Sequence, residues 1–202
     1  MADNKIQPNE YRLIDAAVSD HDGKDVFYVQ MPTGSESNTP REWYGQALAS
    51  GHSRDGDVKE AAGEYYGRPL VQLAGGWNGV EVELRALSKI LREFEFVDIV
   101  DMDIQGAEGP AIAEGFAEMD RRVKRLHVGT HSKEVEDQIR TVMTNGGWRN
   151  IWDFPCQTTT DTPFGKIAFG DGVQSWINPR FYKAEAKPTG IAKLFAWLQG
   201  RG

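Results

Sequence analysis

Between Phe96 and Asn145 the chain passes twice from an apolar run to an amphipathic one, and this order restricts the fold more than any other feature. Phe96 to Ile104 (Phe-Val-Asp-Ile-Val-Asp-Met-Asp-Ile) reads as a strand, Gln105-Gly106-Ala107-Glu108-Gly109-Pro110 as a turn, and a short helix follows to about Met119. Val123 to Thr130 reads as a further strand. Ser132 then caps a helix from Lys133 to Asn145, with Glu134 and Glu136 in the first turn, where the helix dipole favours carboxylates, and Gly146-Gly147 ends it. Successive strand–helix units join parallel strands. The expected fold class is therefore α/β, a mostly parallel sheet with an antiparallel edge hairpin. In such sheets ligands bind beyond the carboxyl ends of the strands.

The flanking segments fit around that frame. Residues 11 to 19 read as a buried strand, Asp20 to Gly23 as a turn and Asp25 to Gln30 as an alternating strand, together a hairpin. Residues 31 to 79 are rich in Gly, Ser, Pro and Asn and read as a long loop, functional or disordered, whose Trp43-Tyr44 and Gly75-Gly76-Trp77 argue against complete disorder. Trp43 and Tyr44 can stack on a sugar face or anchor the loop. Gly75-Gly76 follows no strand signal and reads as a flexible turn. Val80, Leu84, Leu87, Ile90 and Leu91 have helical spacing, so residues 80 to 93 are expected to be a helix. Residues 148 to 182 have strand–turn–strand character. Ile191, Leu194, Phe195 and Leu198 give the tail an amphipathic helical pattern, which sets the boundaries at 1–183 for the domain and 184–202 for the tail.

Composition excludes several classes. A formal charge of −7 repels phosphate backbones, so no nucleic-acid partner is expected. The basic run Arg121-Arg122-Val123-Lys124-Arg125 reads as a solvated helix end. The single cysteine, Cys156, cannot form an intrachain disulfide and reads as a buried inert thiol. No run is long enough for a membrane span, and Met1 to Glu10 has no apolar signal core, so a soluble, cytoplasmic protein is expected.

Candidate chemistry gathers where the two strands stop. Alternation puts Asp101 and Asp103 on one face, with Ile104 opposite, and the tight turn at Gly106 brings Glu108 to the same rim. Glu108 also suits a helix cap, and Asp103 suits an acceptor of backbone N–H bonds. His127, Gly129 and His131 share one parity of the next strand. His131 falls at its carboxyl end, where an imidazole can act as a general base, while His127 reads as a hydrogen-bonded core residue. An Asp103–His131 pair can deprotonate a hydroxyl, or with Glu108 it can hold a divalent metal.

The run Asp98-Ile-Val-Asp-Met-Asp-Ile-Gln-Gly-Ala-Glu108 resembles the central motif of FkbM-type methyltransferases, an apolar strand followed by Asp-Val-Glu-Gly-Ala-Glu. Leu13-Ile-Asp-Ala-Ala-Val-Ser-Asp-His-Asp-Gly23 is similar to the segment after that family's third strand. Leu126-His-Val-Gly-Thr-His131 and the helix ending in Gly146-Gly147-Trp148 match its next strand and helix. Gln105 stands in place of the usual Glu, and Asp101 in place of a common Lys. The resemblance implies a Rossmann-like class I sheet and transfer of a methyl group from S-adenosylmethionine to a hydroxyl on a small-molecule, sugar or glycan-like acceptor. It implies catalytic roles for His131, Asp103 and Glu108, and a cofactor lining of Ala17 and Val18 near the adenine together with Asp103. The family's first strands and glycine-rich turn would fall before residue 11, so the domain is expected to be incomplete at its N-terminus. A sheet lacking those strands has unpaired edges that a partner or a homo-oligomer would cover. On the same ground the alternative is a non-catalytic truncated fragment or binding module without a cofactor site.

Overall fold

The computed structural model describes residues 5–30, 47–49, 58–73, 77–162 and 165–182. The chain divides into two compact units, Met1–Arg85 and Ala86–Gly202. The tail pattern at Ile191 to Leu198, Trp43-Tyr44 and Gly75-Gly76 lie outside the described residues. Among the described residues no helix is long and apolar enough to cross a membrane.

Among the described residues the first unit is a five-stranded sheet. Its strands are β1 (Ala17–Ser19), β2 (Gly23–Gln30), β3 (Val58–Tyr65), β4 (Arg68–Leu73) and β5 (Asn78–Ala86). They run in the order β1-β5-β4-β3, with β2 also paired to β5, and are antiparallel where β2 meets β5, β3 meets β4 and β4 meets β5. The expected hairpin is therefore replaced: β1 and β2 both pair with β5 and not with each other. The strand expected over 11–19 shrinks to Ala17–Ser19, and Leu13 is exposed. Within the stretch read as a loop, Tyr66 and Gly67 have φ of 47° and 78°. Two consecutive left-handed residues make a turn that matches strand twist, and this turn joins β3 to β4.

The helix expected over residues 80–93 is instead β5 followed by the short helix α1 (Leu87–Leu91). Val80, Val82, Leu84 and Ala86 alternate with Glu81, Glu83 and Arg85, a period of two that outweighs the helical spacing. Gly79 is needed where β2 crosses close by: a Cβ there would lie 2.3 Å from Val26 Cγ1 and 2.9 Å from the Phe27 carbonyl oxygen. Tyr28, Ala47, Ala49 and Leu73 form this unit's core, with Val26 and Trp77 packed against it.

The second unit continues with β6 (Val100–Met102), α2 (Glu108–Arg122), β7 (Arg125–Thr130), α3 (Lys133–Asn145) and β8 (Arg149–Phe154). It ends with β9 (Thr158–Thr162), β10 (Gly165–Phe169) and β11 (Gly172–Ile177). The sheet order is β6-β7-β11-β8, and β9 and β10 form a separate hairpin. The strand expected from Phe96 is only Val100–Met102, preceded by an isolated parallel bridge from Val97 to Val123.

The expectation of a mostly parallel sheet is corrected. β6 and β7 pair in parallel, whereas β2–β5, β3–β4, β4–β5, β7–β11, β8–β11 and β9–β10 are antiparallel. β6 and β7 are joined by a helical crossover, α2, which returns the chain to the same end of the sheet. After α3, β8 is not laid against β7. β11 enters between them, antiparallel to both.

Helix α3 spans Lys133–Asn145 as expected, and the Ser132 hydroxyl accepts from Val135 N–H at 3.2 Å. Gly115 lets α1 rest against α2, since a Cβ there would lie 2.7 Å from Leu87 Cγ. Met102, Ile112, Met119, Leu126, Val128, Ile139 and Met143 are buried between the helices and one face of the sheet. The basic run ends α2 as expected: Arg121 is exposed and Arg122 pairs with Glu118. Cys156 is half-buried, and burial followed by the neighbouring Glu136 carboxylate pushes its thiol pKa up, which fits an inert thiol.

Candidate functional site

The parallel pair carries the site. Asp101 lies opposite His127 and Met102 opposite Val128. Met102, Leu126, Val128 and Thr130 point into the helix-covered core, so the alternate residues Asp101, Asp103, His127, Gly129 and His131 share the other face. The Asp103 carboxylate lies over Gly129, 3.5 Å from where a Cβ would stand.

After Asp103 the backbone turns through two left-handed residues, Gln105 at φ 56° and Gly106 at φ 97°. The first is strained for a side chain with a Cβ. The turn aims the N–H groups at Glu108, the first residue of α2. Its Oε1 accepts from Ile104 N–H at 2.9 Å and Gly106 N–H at 3.1 Å, and its Oε2 accepts from Gly106 N–H at 2.9 Å. Glu108 is fully buried, and this turn is what allows a carboxylate there. The Gln105 amide donates to Asp103 Oδ1 at 3.2 Å, so the residue standing in place of the family's Glu steadies the outer carboxylate.

His131 bridges the two acids. Its Nε2 lies 3.2 Å from Asp103 Oδ1 and its Nδ1 3.0 Å from Glu108 Oε1. Asp103 is 67% exposed and Glu108 0%, with His131 between them at 16%, so the line runs from solvent to the interior. The buried Nδ1 lies 3.0 Å from Glu108 Oε1 without the angle of a normal hydrogen bond. The Glu108 carboxylate raises the imidazole pKa above its usual 6.5; burial opposes this, and Asp103 and Asp171 add to the rise. For Glu108, burial pushes the pKa up, but His131 and the turn's backbone N–H groups outweigh it, leaving the carboxyl below its ordinary 4.5. The cluster is thus an acid–imidazole–acid line whose central group titrates above the ordinary imidazole range.

Asp103, Glu108 and His131 also place one ligand atom each within 4.8 Å of one another. Two carboxylates and an imidazole suit a divalent cation. Two ligand bonds of about 2.1 Å at right angles would set their atoms about 3 Å apart, which is close to the Nε2–Oδ1 spacing.

The structure brings together three of the residues picked from sequence, Asp103, Glu108 and His131. Ala17 and Val18 are half-buried in β1 of the first unit, and their role beside an adenine rests on motif position. Residues just before them, Ile14 to Ala16, line an open groove of about 810 Å³ with Asp22, Lys24 and Arg85. His127, read as a core residue, is exposed, with Nδ1 2.7 Å from Ser175 Oγ. The sequence reading missed the division of labour between the carboxylates. Glu108, on the buried side of the ring, is the one placed to hold His131 in orientation. A carboxylate two residues after Gly106 was the available signal, since a turn with free N–H groups needs an acceptor.

Residues 3–147, well over half of the 202, match the family described as "Methyltransferase FkbM domain". The chain belongs to the FkbM methyltransferase family. The match runs from before β1 to the close of α3 and includes the whole Asp103–Glu108–His131 cluster. The chain is also 32% identical over 83 residues, 41% of its length, to a Jannaschia sp. (strain CCS1) protein named "Putative methyltransferase". That stretch covers 29% of the relative's length, so the chain spans less than a third of it.

Proposed function

We propose that this FkbM-family chain serves methyl transfer from S-adenosylmethionine to a hydroxyl of a sugar or glycan-like acceptor. The observation that carries the reading is the line Asp103–His131–Glu108 at the carboxyl ends of β6 and β7. When bound, S-adenosylmethionine supplies a methyl group on a positively charged sulfur. The chain's own residues deal with the acceptor's proton. Glu108 holds the ring from its buried side, and exposed Asp103 can yield its place at Nε2 to an incoming hydroxyl. Nε2 would then take the hydroxyl proton, leaving the acceptor oxygen ready to receive the methyl group. The resulting imidazolium sits between two carboxylates, which stabilise the charge it acquires. Ala17 and Val18 border the adenine by motif position.

A second reading, a divalent cation held at Asp103, Glu108 and His131, is favoured by one ligand atom of each lying within 4.8 Å of the others. One experiment separates the two. Methyl transfer to a panel of glycosides is measured on the longest natural form of the protein, wild type beside His131→Ala, with and without a chelator. The base reading expects turnover to fall roughly 100-fold or more in the variant, cofactor affinity to hold, and the chelator to have no effect. Chelator-sensitive turnover restored by Mg²⁺ or Mn²⁺ selects the metal reading. Undiminished turnover in His131→Ala removes His131 from the mechanism.

A further inference from the structure

The sheet face that carries His131 continues into a second feature that the transfer chemistry does not use. An apolar cleft of about 270 Å³ is lined by His127, Trp152, Phe154, Phe169, Val173 and Ser175, with Thr162 and Ile167 at its margin. Trp152 and Phe154 lie two residues apart on β8 and so share a face, while Asp153 between them turns to Arg140 of α3 at 2.7 Å. The aromatic wall is nearly parallel: Trp152 and Phe154 stack at 5.8 Å and 22°, and Phe154 and Phe169 at 4.9 Å and 7°. Trp152 is 40% exposed and Ile167 39%, so rings and rim meet solvent. Inside, the polar groups of His127 and Ser175 are paired with each other at 2.7 Å.

Register ties the cleft to the acid–imidazole line. Ser175 lies opposite His127 and Val173 opposite Gly129, the residue beneath Asp103. His127 on β7 and His131 just past its end stand four residues apart, about 13 Å at 3.3 Å per extended residue, roughly the span of a two-ring molecule. Across the same face, Asp101 on β6 and Asp103 just past it form one margin, Trp152 and Phe154 on β8 form the other, and His127 on β7 and His131 just past it lie between. One margin accepts hydrogen bonds from hydroxyls. The other offers apolar contact and almost no hydrogen bonding, so a second bare sugar there would lose its hydration without recompense.

We infer that the acceptor is a glycoside with an apolar aglycone, its sugar held at Asp101, Asp103 and His131 and its aromatic or alkyl arm in the Trp152–Phe154–Phe169 cleft. The inference rests on the transfer reading for the placement of the sugar, and it adds the class of the other half.

The test titrates the full chain with phenyl β-D-glucoside and methyl β-D-glucoside, followed by tryptophan fluorescence and ligand-observed NMR. The phenyl glycoside binds roughly tenfold tighter, as burial of one ring implies. Ser175→Trp, which fills the cleft from its floor, abolishes the preference. Ile167→Lys at the exposed rim abolishes it too, with an unchanged melting temperature that keeps the result readable if Ser175→Trp misfolds. His131→Ala retains the preference, so loss of methyl transfer in that variant and loss of aglycone binding are separate outcomes. Equal affinity for the two glycosides, or a preference untouched by both cleft variants, overturns the inference. So does a preference that emerges only in Phe195→Asp, which would make the tail the occupant. Concentration-dependent self-association lost in Ile167→Lys would make it a second copy.

Discussion

At the scale of residues, the cluster depends on one buried carboxylate doing two jobs. Glu108 closes the Ile104–Gly106 turn with its oxygens and holds His131 with its charge. Glu108→Gln keeps the shape, but its amide nitrogen cannot accept from Gly106 N–H. The expected cost is about 1–3 kcal/mol of unfolding free energy, read from denaturant melts, together with a downward shift of the His131 titration followed by NMR. A His131 titration unchanged in that variant would break the assigned link. The pH dependence of stability follows from the directions of the two shifts. His131 titrates above 6.5 in the folded state, so its contribution is complete below 6.5 and is lost as pH rises through the raised value. Glu108 titrates below 4.5, so its contribution is complete above 4.5 and is lost as pH falls through the lowered value. Denaturation midpoints measured across pH should therefore show a plateau between, and Glu108→Gln should flatten both shoulders. The sequence made these three residues legible because strand alternation and the Gly106 turn converge on one rim. It did not show which carboxylate is interior, since that depends on the left-handed Gln105 rotating Glu108 inward.

At the scale of elements, the outcome turns on competing periods. Lys133–Asn145 was readable because Ser132, two early glutamates and Gly146-Gly147 all mark the same helix. Residues 78–86 were not, because Val80, Leu84 and Leu87 fit a helix as well as a strand until partners on both sides of β5 decide. Leu70 to Gln72 and Gly23 to Gln30 supply those partners, and their pairing is non-local. The β3–β4 hairpin was hidden for a different reason: its turn uses Tyr66 at φ 47°, a residue type that seldom announces a left-handed turn. The close approach of β2 to β5 gives a direct test. Gly79→Ala drives a methyl group against the Phe27 carbonyl, whose backbone cannot swing aside, and should destabilise by roughly 1–3 kcal/mol, seen as a lower denaturant midpoint with an unchanged slope. A neutral effect would mean that β2 and β5 separate without loss.

At the scale of the whole molecule, the family and the α/β character were legible from three ordered motifs, while the balance of strand directions was not. Periodicity reports that a strand exists, and pairing depends on which strand arrives beside it. β11 illustrates the point, because it is last of the sheet in sequence and yet occupies the place between β7 and β8. This insertion has a consequence for the chain while it is being made. On the ribosome, β6, α2, β7, α3 and β8 all emerge before Gly172, and until then the facing edges of Arg125–Thr130 and Arg149–Phe154 have no strand to pair with. A nascent chain at that length carries a slot one strand wide, lined with unmet N–H and C=O groups and with Trp152 and Phe154 beside it. The arrival of Gly172–Ile177 is therefore the step that seals the sheet, and a pause in translation just before it leaves the protein in its stickiest form.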